Sequence, residues 1–576
     1  MKVLIANKAG FCMGVRRAVD MTLDLVNRGE ENIATFGPLI HNPQVLEVLE
    51  DKGVKVLKEV PERRDGTVII RAHGVPPERK EALLHSGLTV KDATCPRVVK
   101  VQAIITRHLS EGRMTVIIGD RNHAEVEGLL GYAGPGALVV SNETEARSIA
   151  IGHPYIIVSQ TTQDEATFEQ LTKILLARFP DGRVFNTICD STHKRQDEVR
   201  RLCREVEALV VVGGKTSANT KRLADIASGM GCPVFAVETE DELDREALRR
   251  FATVGVTAGA STPTWMINRV VRALESIPGK GEGRLHPLLY RILWVAMALN
   301  LYVSLAGALL VFVSGRLLAM PNSVVQAIMA FGYLFAMHNI NRLTDHKAKI
   351  FNDPMQVHFF RSHHRTLMAV SVAALIFSLG LAAQQGPAVL ALLGIMSLFG
   401  LFYSVRVVPE SLADVIRVTR LKEIPGSKTF FVALAWALMV VTLPSLGRID
   451  PFSTPHLLVF VLVLGLVFVR NVLYDVFDVQ GDRIVGKETL PVFIGEPRTL
   501  TVLHAIIGVL LCLAVVLPAS GLIGPIGFWL VPGILYLALL ARLYHLKRLH
   551  QGVKLEFALE SSFFILALGV WIGGLV

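Results

Sequence analysis

Cys12, Cys95 and Cys189 each stand where an apolar strand-like run gives way to an amphipathic stretch, in the contexts VLIANKAGFC, TVKDATC and VFNTIC. A thiol at a helix N-terminus lies in the positive end of the helix dipole, which favours the thiolate that binds metal. Three such thiols in similar settings point to one shared metal site. No close cysteine pair occurs among the six cysteines, so a disulfide scaffold is not expected, and Cys203, Cys232 and Cys512 read as packing residues. Local CxxC pairs typical of structural zinc are also missing. Spacing alone leaves an iron–sulfur cluster, zinc or unrelated buried cysteines open.

The elements that would position these thiols repeat. The same unit of apolar strand, polar loop and helix recurs with His41, His73, His123, Thr161, Ser217 and Ser261 in the loop. Cys12 to His41 is 29 residues, and Cys95 to His123 and Cys189 to Ser217 are 28 each. A third unit follows in each case, at His73, Thr161 and Ser261, so the chain reads as three lobes of three units. Runs such as TVIIR, TVIIG, YIIV and LVVVG suit parallel strands buried on both faces. Ligands of open α/β sheets sit at the carboxyl ends of the strands, so the nine loops are expected to converge on one central cavity. The expected fold is α/β, trilobed and pseudo-threefold. For any single Ser or Thr, helix capping is the competing explanation.

Composition divides the chain. Hydrophobic residues make up 51% of 576 residues and the formal net charge is +9, with a mean hydropathy of +0.45. The apolar excess is concentrated late. Residues 1–277 read as a soluble α/β domain, 278–287 as a linker and 288–576 as an all-α polytopic membrane domain. The start has no signal-peptide pattern, so the soluble domain is expected in the cytoplasm. Nine spans are expected, over 289–313, 321–340, 366–384, 387–404, 428–445, 456–475, 500–518, 524–544 and 557–576. Basic residues crowd the connections after even-numbered spans, including Arg342, Lys347, Lys349, Arg406, Arg417, Arg470 and Arg483. The other connections offer only Arg316 and Arg448. That asymmetry places the even connections and the N-terminal domain on the cytoplasmic side of a multi-pass cytoplasmic-membrane protein. It also accounts for the positive charge with no nucleic acid as partner.

The motifs GFCMGVRRA, GPLIHNPQV, RAHGV, DATCPRV, SQTT, NTIC and VTAGAST, over roughly residues 1–275, resemble the 4-hydroxy-3-methylbut-2-enyl diphosphate reductase family, also called LytB or IspH. The resemblance implies a [4Fe–4S] cluster on Cys12, Cys95 and Cys189, and reductive removal of an allylic hydroxyl to give isopentenyl and dimethylallyl diphosphates. Ferredoxin or flavodoxin would supply the electrons. Glu125 looks like the proton donor, with Thr161 orienting the substrate and relaying the proton. His41, His73, His123, Ser217, Asn219 and Ser261 are expected to meet the diphosphate as positioned, partly cationic donors. Ala218 stands where the family's SSN pattern has a second Ser, which leaves only its backbone for that contact.

A second resemblance lies in RNVLYDVFDVQGDRIVGKETLPV. Asp475, Asp478 and Asp482, spaced by three and four, share one helix face. The segment is similar to the second aspartate-rich motif of the UbiA prenyltransferase family, which implies Mg²⁺ carrying a prenyl diphosphate. The basic segment RLKEIPGSK is also similar to that family. The first motif departs from the family form. In NRLTDHKAK, Asn341 and Asp345 match, whereas Arg342 and Lys349 replace aspartates. Two readings stay open: a transferase fused to the reductase, or a lipid-binding or anchoring remnant.

Overall fold

The computed structural model describes residues 1–576 except 63–64, 282–284, 322, 345–352, 403–426, 547–548, 550–551 and 576. The chain separates into two compact units, Met1–Gly283 and Arg284–Val576.

The first unit contains three four-stranded parallel sheets. One is built from β2 (Ile33–Phe36), β3 (Lys55–Leu57), β4 (Thr67–Ile70) and β5 (Thr89–Asp92). The second holds β6 (Met114–Ile118), β7 (Leu138–Val140), β8 (Tyr155–Ser159) and β9 (Gly182–Val184). The third holds β10 (Ala208–Val212), β11 (Val234–Val237), β12 (Thr253–Ala258) and the N-terminal strand β1 (Lys2–Ile5). Their orders are β3-β2-β4-β5, β7-β6-β8-β9 and β11-β10-β12-β1, which is one pattern used three times. Strands β2, β4, β8 and β10 are buried along their whole length, as expected for parallel strands covered on both faces.

Two details differ from the expectation. Each sheet has four strands rather than three: β3, β7 and β11 lie at the edge away from the cysteine-bearing strand and lead to none of the nine loops. The lobes are also shifted along the chain. Each cysteine follows the last strand of its sheet, and Cys12 belongs with the C-terminal lobe because β1 pairs with β12, Lys2 opposite Thr253.

Amphipathic helices cover the sheets. Those that matter for the site are α1 (Met13–Asn27), α2 (Pro43–Asp51), α3 (Pro77–His85), α4 (Pro96–Ser110), α5 (Ala124–Ala133), α6 (Glu143–Ser148), α7 (Glu165–Arg178), α8 (Asp190–Leu202) and α9 (Ala218–Gly229). Val199 and Leu202 of α8 and Leu223 and Ala227 of α9 bury their apolar stripe against Leu209 and Val211 of β10.

The second unit is helical around one continuous apolar core that includes Trp436, Leu466, Leu503 and Phe563. Among the described residues, six of its helices are long and apolar enough to cross a membrane, or seven when a bent pair is taken as one span. The nine-span expectation is therefore too high for the described residues. Pro387–Phe402 has 16 residues, about 24 Å at 1.5 Å per residue, short of a hydrocarbon core of about 30 Å. Val324–Thr344 ends in the polar residues His338, Asn339, Asn341 and Arg342.

The expected first span is the bent pair, Leu288–Ala298 and Leu301–Leu317, turned by 65° at Asn300, whose φ is +58°. The break frees carbonyls that apolar surroundings cannot solvate. Arg342 Nη1 donates to Ala298 O at 2.9 Å and Asn339 Nδ2 to Leu299 O at 3.0 Å, while Asn300 Nδ2 donates to Asn339 Oδ1 at 2.9 Å.

Candidate functional site

In a sheet of order 2-1-3-4 the crevice opens between the carboxyl ends of the first and third strands, where neighbouring connections run in opposite directions. The residues after those strands are His41 and His73, His123 and Thr161, Ser217 and Ser261. The fourth strand of each sheet leads to a cysteine. All twelve residues expected at this site, Cys12, Cys95, Cys189, His41, His73, His123, Glu125, Thr161, Ser217, Ala218, Asn219 and Ser261, line one pocket of about 730 Å³, part of it open to solvent.

Each cysteine is the N-cap residue of the helix that follows it, α1, α4 and α8. Their backbone N–H groups are held alike: Cys12 N donates to Ala260 O at 3.0 Å, Cys95 N to Ala72 O at 2.9 Å and Cys189 N to Thr161 O at 2.9 Å. Every cysteine is thus tied to the third-strand loop of its own lobe. Cys12 Sγ accepts from Val15 N at 3.5 Å. The approach of α1 to Cys95 needs Gly14, because a Cβ there would lie 2.5 Å from Cys95 Sγ. Burial, the leading cause, and the other two cysteines push the Cys95 thiol up in pKa. Three unbridged thiols at three helix N-termini around one cavity are a donor set that fits a thiolate-bound cluster.

Glu125 is 2% exposed. Its carboxylate accepts from Thr161 N at 2.6 Å and from Thr161 Oγ1 at 2.7 Å. Burial raises its pKa and the two Thr161 bonds oppose the rise, leaving it above the usual value. A carboxyl that binds its proton more tightly than usual beside a cavity is suited to act as an acid.

The rings of His41 and His73 have centroids 4.7 Å apart, His41 and His123 5.5 Å, His73 and His123 5.4 Å. One nitrogen of each ring lies within 4.8 Å of the others, so the three can converge on one metal ion or on the oxygens of one anion. Burial first, then neighbouring positive charges including Arg71, lowers all three pKa values: His41 below its usual value, His73 well below it, and His123 to about 4. Burial thus favours the uncharged rings, and a bound anion would oppose that shift. His123 Nδ1 accepts from Glu125 N at 3.1 Å, so in the neutral ring the proton is assigned to Nε2.

His41 Nε2, His73 Nδ1 and both amide atoms of Asn219 are buried without a hydrogen-bond partner. Such atoms are costly to bury unless a ligand or water completes them. Ser217 caps α9 by accepting from Thr220 N at 3.4 Å and lines the pocket as well, so capping and lining are one arrangement. Ser261 Oγ donates to His41 O at 2.9 Å; its proton braces the His41 loop. The pocket also includes Arg97, Thr162, Ser191 and Thr192, which sequence reasoning missed. Ser191 and Thr192 lie two and three residues after Cys189, and two hydroxyls in the first turn after a cysteine were the available signal.

In the second unit, Asp475, Asp478 and Asp482 lie on the Thr454–Val485 helix. Asp475 Oδ2 accepts from Thr429 Oγ1 at 2.5 Å, and Asp482 is 6% exposed. Three carboxylates on one face offer hard oxygen ligands suited to Mg²⁺. Asn341 lies near the end of the Val324–Thr344 helix. Asp345, Lys349 and residues 420–426 of the basic segment lie outside the described residues. Arg342 gives one guanidinium nitrogen to Ala298 O and stacks 5.6 Å from the Phe360 ring centroid. Its first role is to cap the broken span.

Residues 3–275 match the LytB protein family and residues 361–568 the UbiA prenyltransferase family. The 4-hydroxy-3-methylbut-2-enyl diphosphate reductase of Geobacter sulfurreducens is 42% identical over 283 residues, covering 49% of this chain and 100% of the relative. Among solved structures, the Plasmodium falciparum E-1-hydroxy-2-methyl-but-2-enyl-4-diphosphate reductase is 27% identical with a TM-score of 0.46, covering 48% of this chain and 88% of that one. A UbiA homolog from Archaeoglobus fulgidus bound to GPP and Mg²⁺ is 20% identical with a TM-score of 0.38, covering 49% and 98%. Through its first unit this chain belongs to the 4-hydroxy-3-methylbut-2-enyl diphosphate reductase family, an oxidoreductase joined to a UbiA prenyltransferase family domain.

Proposed function

We propose that the first unit converts (E)-4-hydroxy-3-methylbut-2-enyl diphosphate, two electrons and two protons to isopentenyl or dimethylallyl diphosphate and water. The observation that carries this reading is the convergence of three cysteines, three histidines and the Glu125–Thr161 pair on one pocket. Cys12, Cys95 and Cys189 hold a [4Fe–4S] cluster, which when bound supplies the electrons and a Lewis-acidic iron. His41, His73, Asn219 and Ser217 bind the diphosphate, and the backbone at Ala218 adds a donor at the N-terminus of α9. Ser261 keeps the His41 loop in place. Glu125 delivers a proton to the departing hydroxyl, and Thr161 fixes the carboxyl and passes the proton on. A soluble one-electron carrier such as ferredoxin or flavodoxin is the partner.

The second unit is read as a prenyltransferase embedded in lipid, with Asp475, Asp478 and Asp482 holding Mg²⁺ and a prenyl diphosphate, and Asn341 and Asp345 adding to the same site. The basic connections set the reductase unit on the cytoplasmic face. The engagement of Arg342 with a backbone carbonyl favours a second reading, an anchoring domain that no longer transfers prenyl groups.

The test is an anaerobic assay of the full chain and its Asp475→Ala variant in membranes, offered hydroxymethylbutenyl diphosphate and labelled prenyl diphosphates. Transferase function predicts that Asp475→Ala abolishes lipid labelling while conversion of the C5 substrate continues. Unchanged labelling supports the anchor.

A further inference from the structure

The helix that follows each cysteine reaches across to the loop that carries the next one. From α1, five residues beyond Cys12, Arg17 donates to Thr94 O at 2.9 Å and Asp92 O at 3.2 Å, the residues before Cys95. From α4, two residues beyond Cys95, Arg97 pairs with Asp190 at 2.6 Å, the residue after Cys189. From α8, six residues beyond Cys189, Arg195 donates to Gly10 O at 2.5 Å, just before Cys12, and to Ala258 O at 3.2 Å at the end of β12. The circuit closes: the lobe of Cys12 holds that of Cys95, which holds that of Cys189, which holds that of Cys12. On the last arc, Glu198 of α8 also accepts from Asn7 N at 2.7 Å and Lys8 N at 2.8 Å, so one helix grips the Cys12 loop from both sides.

The three arcs are not equal. Arg97 and Asp190 have side chains 45% and 64% exposed, and solvent screens such a pair. Arg195 is 4% exposed, and its guanidinium is held by backbone carbonyls of the lobe that carries Cys12, Gly10 O and Ala258 O. A fixed cation in a low-dielectric setting stabilises added negative charge nearby far more than a surface cation does.

We propose that Arg17 and Arg195 form an inter-lobe clasp, closed only weakly by the solvent-screened Arg97–Asp190 pair, that fixes the triangle of thiols before a metal centre is bound, and that the buried charge of Arg195 raises the reduction potential of that centre. The second clause rests on the cluster reading above; the first does not. These are positioning residues, acting through the loops that bear the cysteines.

The test uses the full chain purified anaerobically, with Arg195→Gln, Arg195→Lys, Arg17→Gln and Arg97→Gln variants. Redox titration followed by electron paramagnetic resonance reads the potential, and iron release to a chelator reads the clasp. Arg195→Gln is expected to lower the midpoint potential and to lose iron about tenfold faster, while Arg195→Lys recovers the potential but not the retention, since an ammonium cannot reproduce the guanidinium fork. Arg17→Gln loses iron faster at an unchanged potential, and Arg97→Gln stays within about twofold of the parent. Arg195→Gln with parental potential and iron release overturns the proposal; if that variant does not fold, parental iron release in Arg17→Gln does so. Amide exchange over Ala6–Cys12 in metal-free chain separates the clasp from the cluster reading. Faster exchange in Arg195→Gln supports the clasp even if the parent protein holds no iron, and unchanged exchange overturns it.

Discussion

Glu125 is balanced between burial, which favours the acid, and two bonds from Thr161, which favour the carboxylate. Thr161→Val removes the hydroxyl bond and keeps the backbone one, so the pKa of Glu125 rises further. The alkaline limb of the pH–rate profile should move to higher pH, with turnover reduced about tenfold or more by the lost positioning; an unshifted limb would mean that another group delivers the proton. The histidines carry a stability signature of opposite origin. Their folded pKa values lie below the usual 6.5, so the folded state binds fewer protons than the unfolded state, and its stability is complete above about pH 6.5 and declines as pH falls towards the folded values. For His123, lowered to about 4, the loss at pH 5.5 is about 1 kcal/mol. His123→Gln should flatten the fall in melting temperature between pH 7.5 and 5.5, and an equally steep fall would contradict the assignment. At this scale the cysteines, histidines and Thr161 were legible because each falls at a fixed place after a strand, whereas Glu125, inside α5, was singled out only by the family resemblance. Arg17, Arg97 and Arg195 were not legible, because their partners lie 77, 93 and 185 residues away and the arginines look like ordinary charges on amphipathic helices.

Helix α1 carries Cys12 at its start and passes close to Cys95, and both depend on Gly14. Alanine there should favour the helix by about 1 kcal/mol on propensity alone. Its Cβ would sit 2.5 Å from Cys95 Sγ, an overlap that displaces the thiol and outweighs that gain. Gly14→Ala is therefore expected to yield a folded chain with less than about half the parental iron, as measured by metal analysis; full iron would show that the thiol triangle tolerates the shift. Strand-to-helix handovers were readable from alternating apolar runs and polar loops. The edge strands β3 and β7, of three residues each, were not, since so short a run has no period and, unlike the equally short β9, neither is followed by a cysteine that marks its end. The broken first span was hidden for a different reason: hydropathy averages over 289–313, whereas the bend depends on one residue, Asn300, in the left-handed region and on partners from another helix.

Three sheets with one strand order make the first unit a closed circuit of lobes, and that symmetry was visible in the spacings of 29, 28 and 28 residues from each cysteine to the next polar loop. The assignment of lobes was not, because periodicity along a chain cannot tell which strand closes the circle; pairing of β1 with β12 does so. The division into a charged half and an apolar half was legible from composition, and the overcount of spans arose from helices that are long but polar at one end or apolar but short. Three thiols from three lobes are proposed to hold one cluster. The direct measurement is iron and acid-labile sulfide in the full chain purified anaerobically, beside Cys12→Ser, Cys95→Ser and Cys189→Ser. The proposal predicts about four irons per parental chain, with each serine variant losing most of them and Cys203→Ser retaining them. Zinc in place of iron, or iron retained in all three variants, would contradict it.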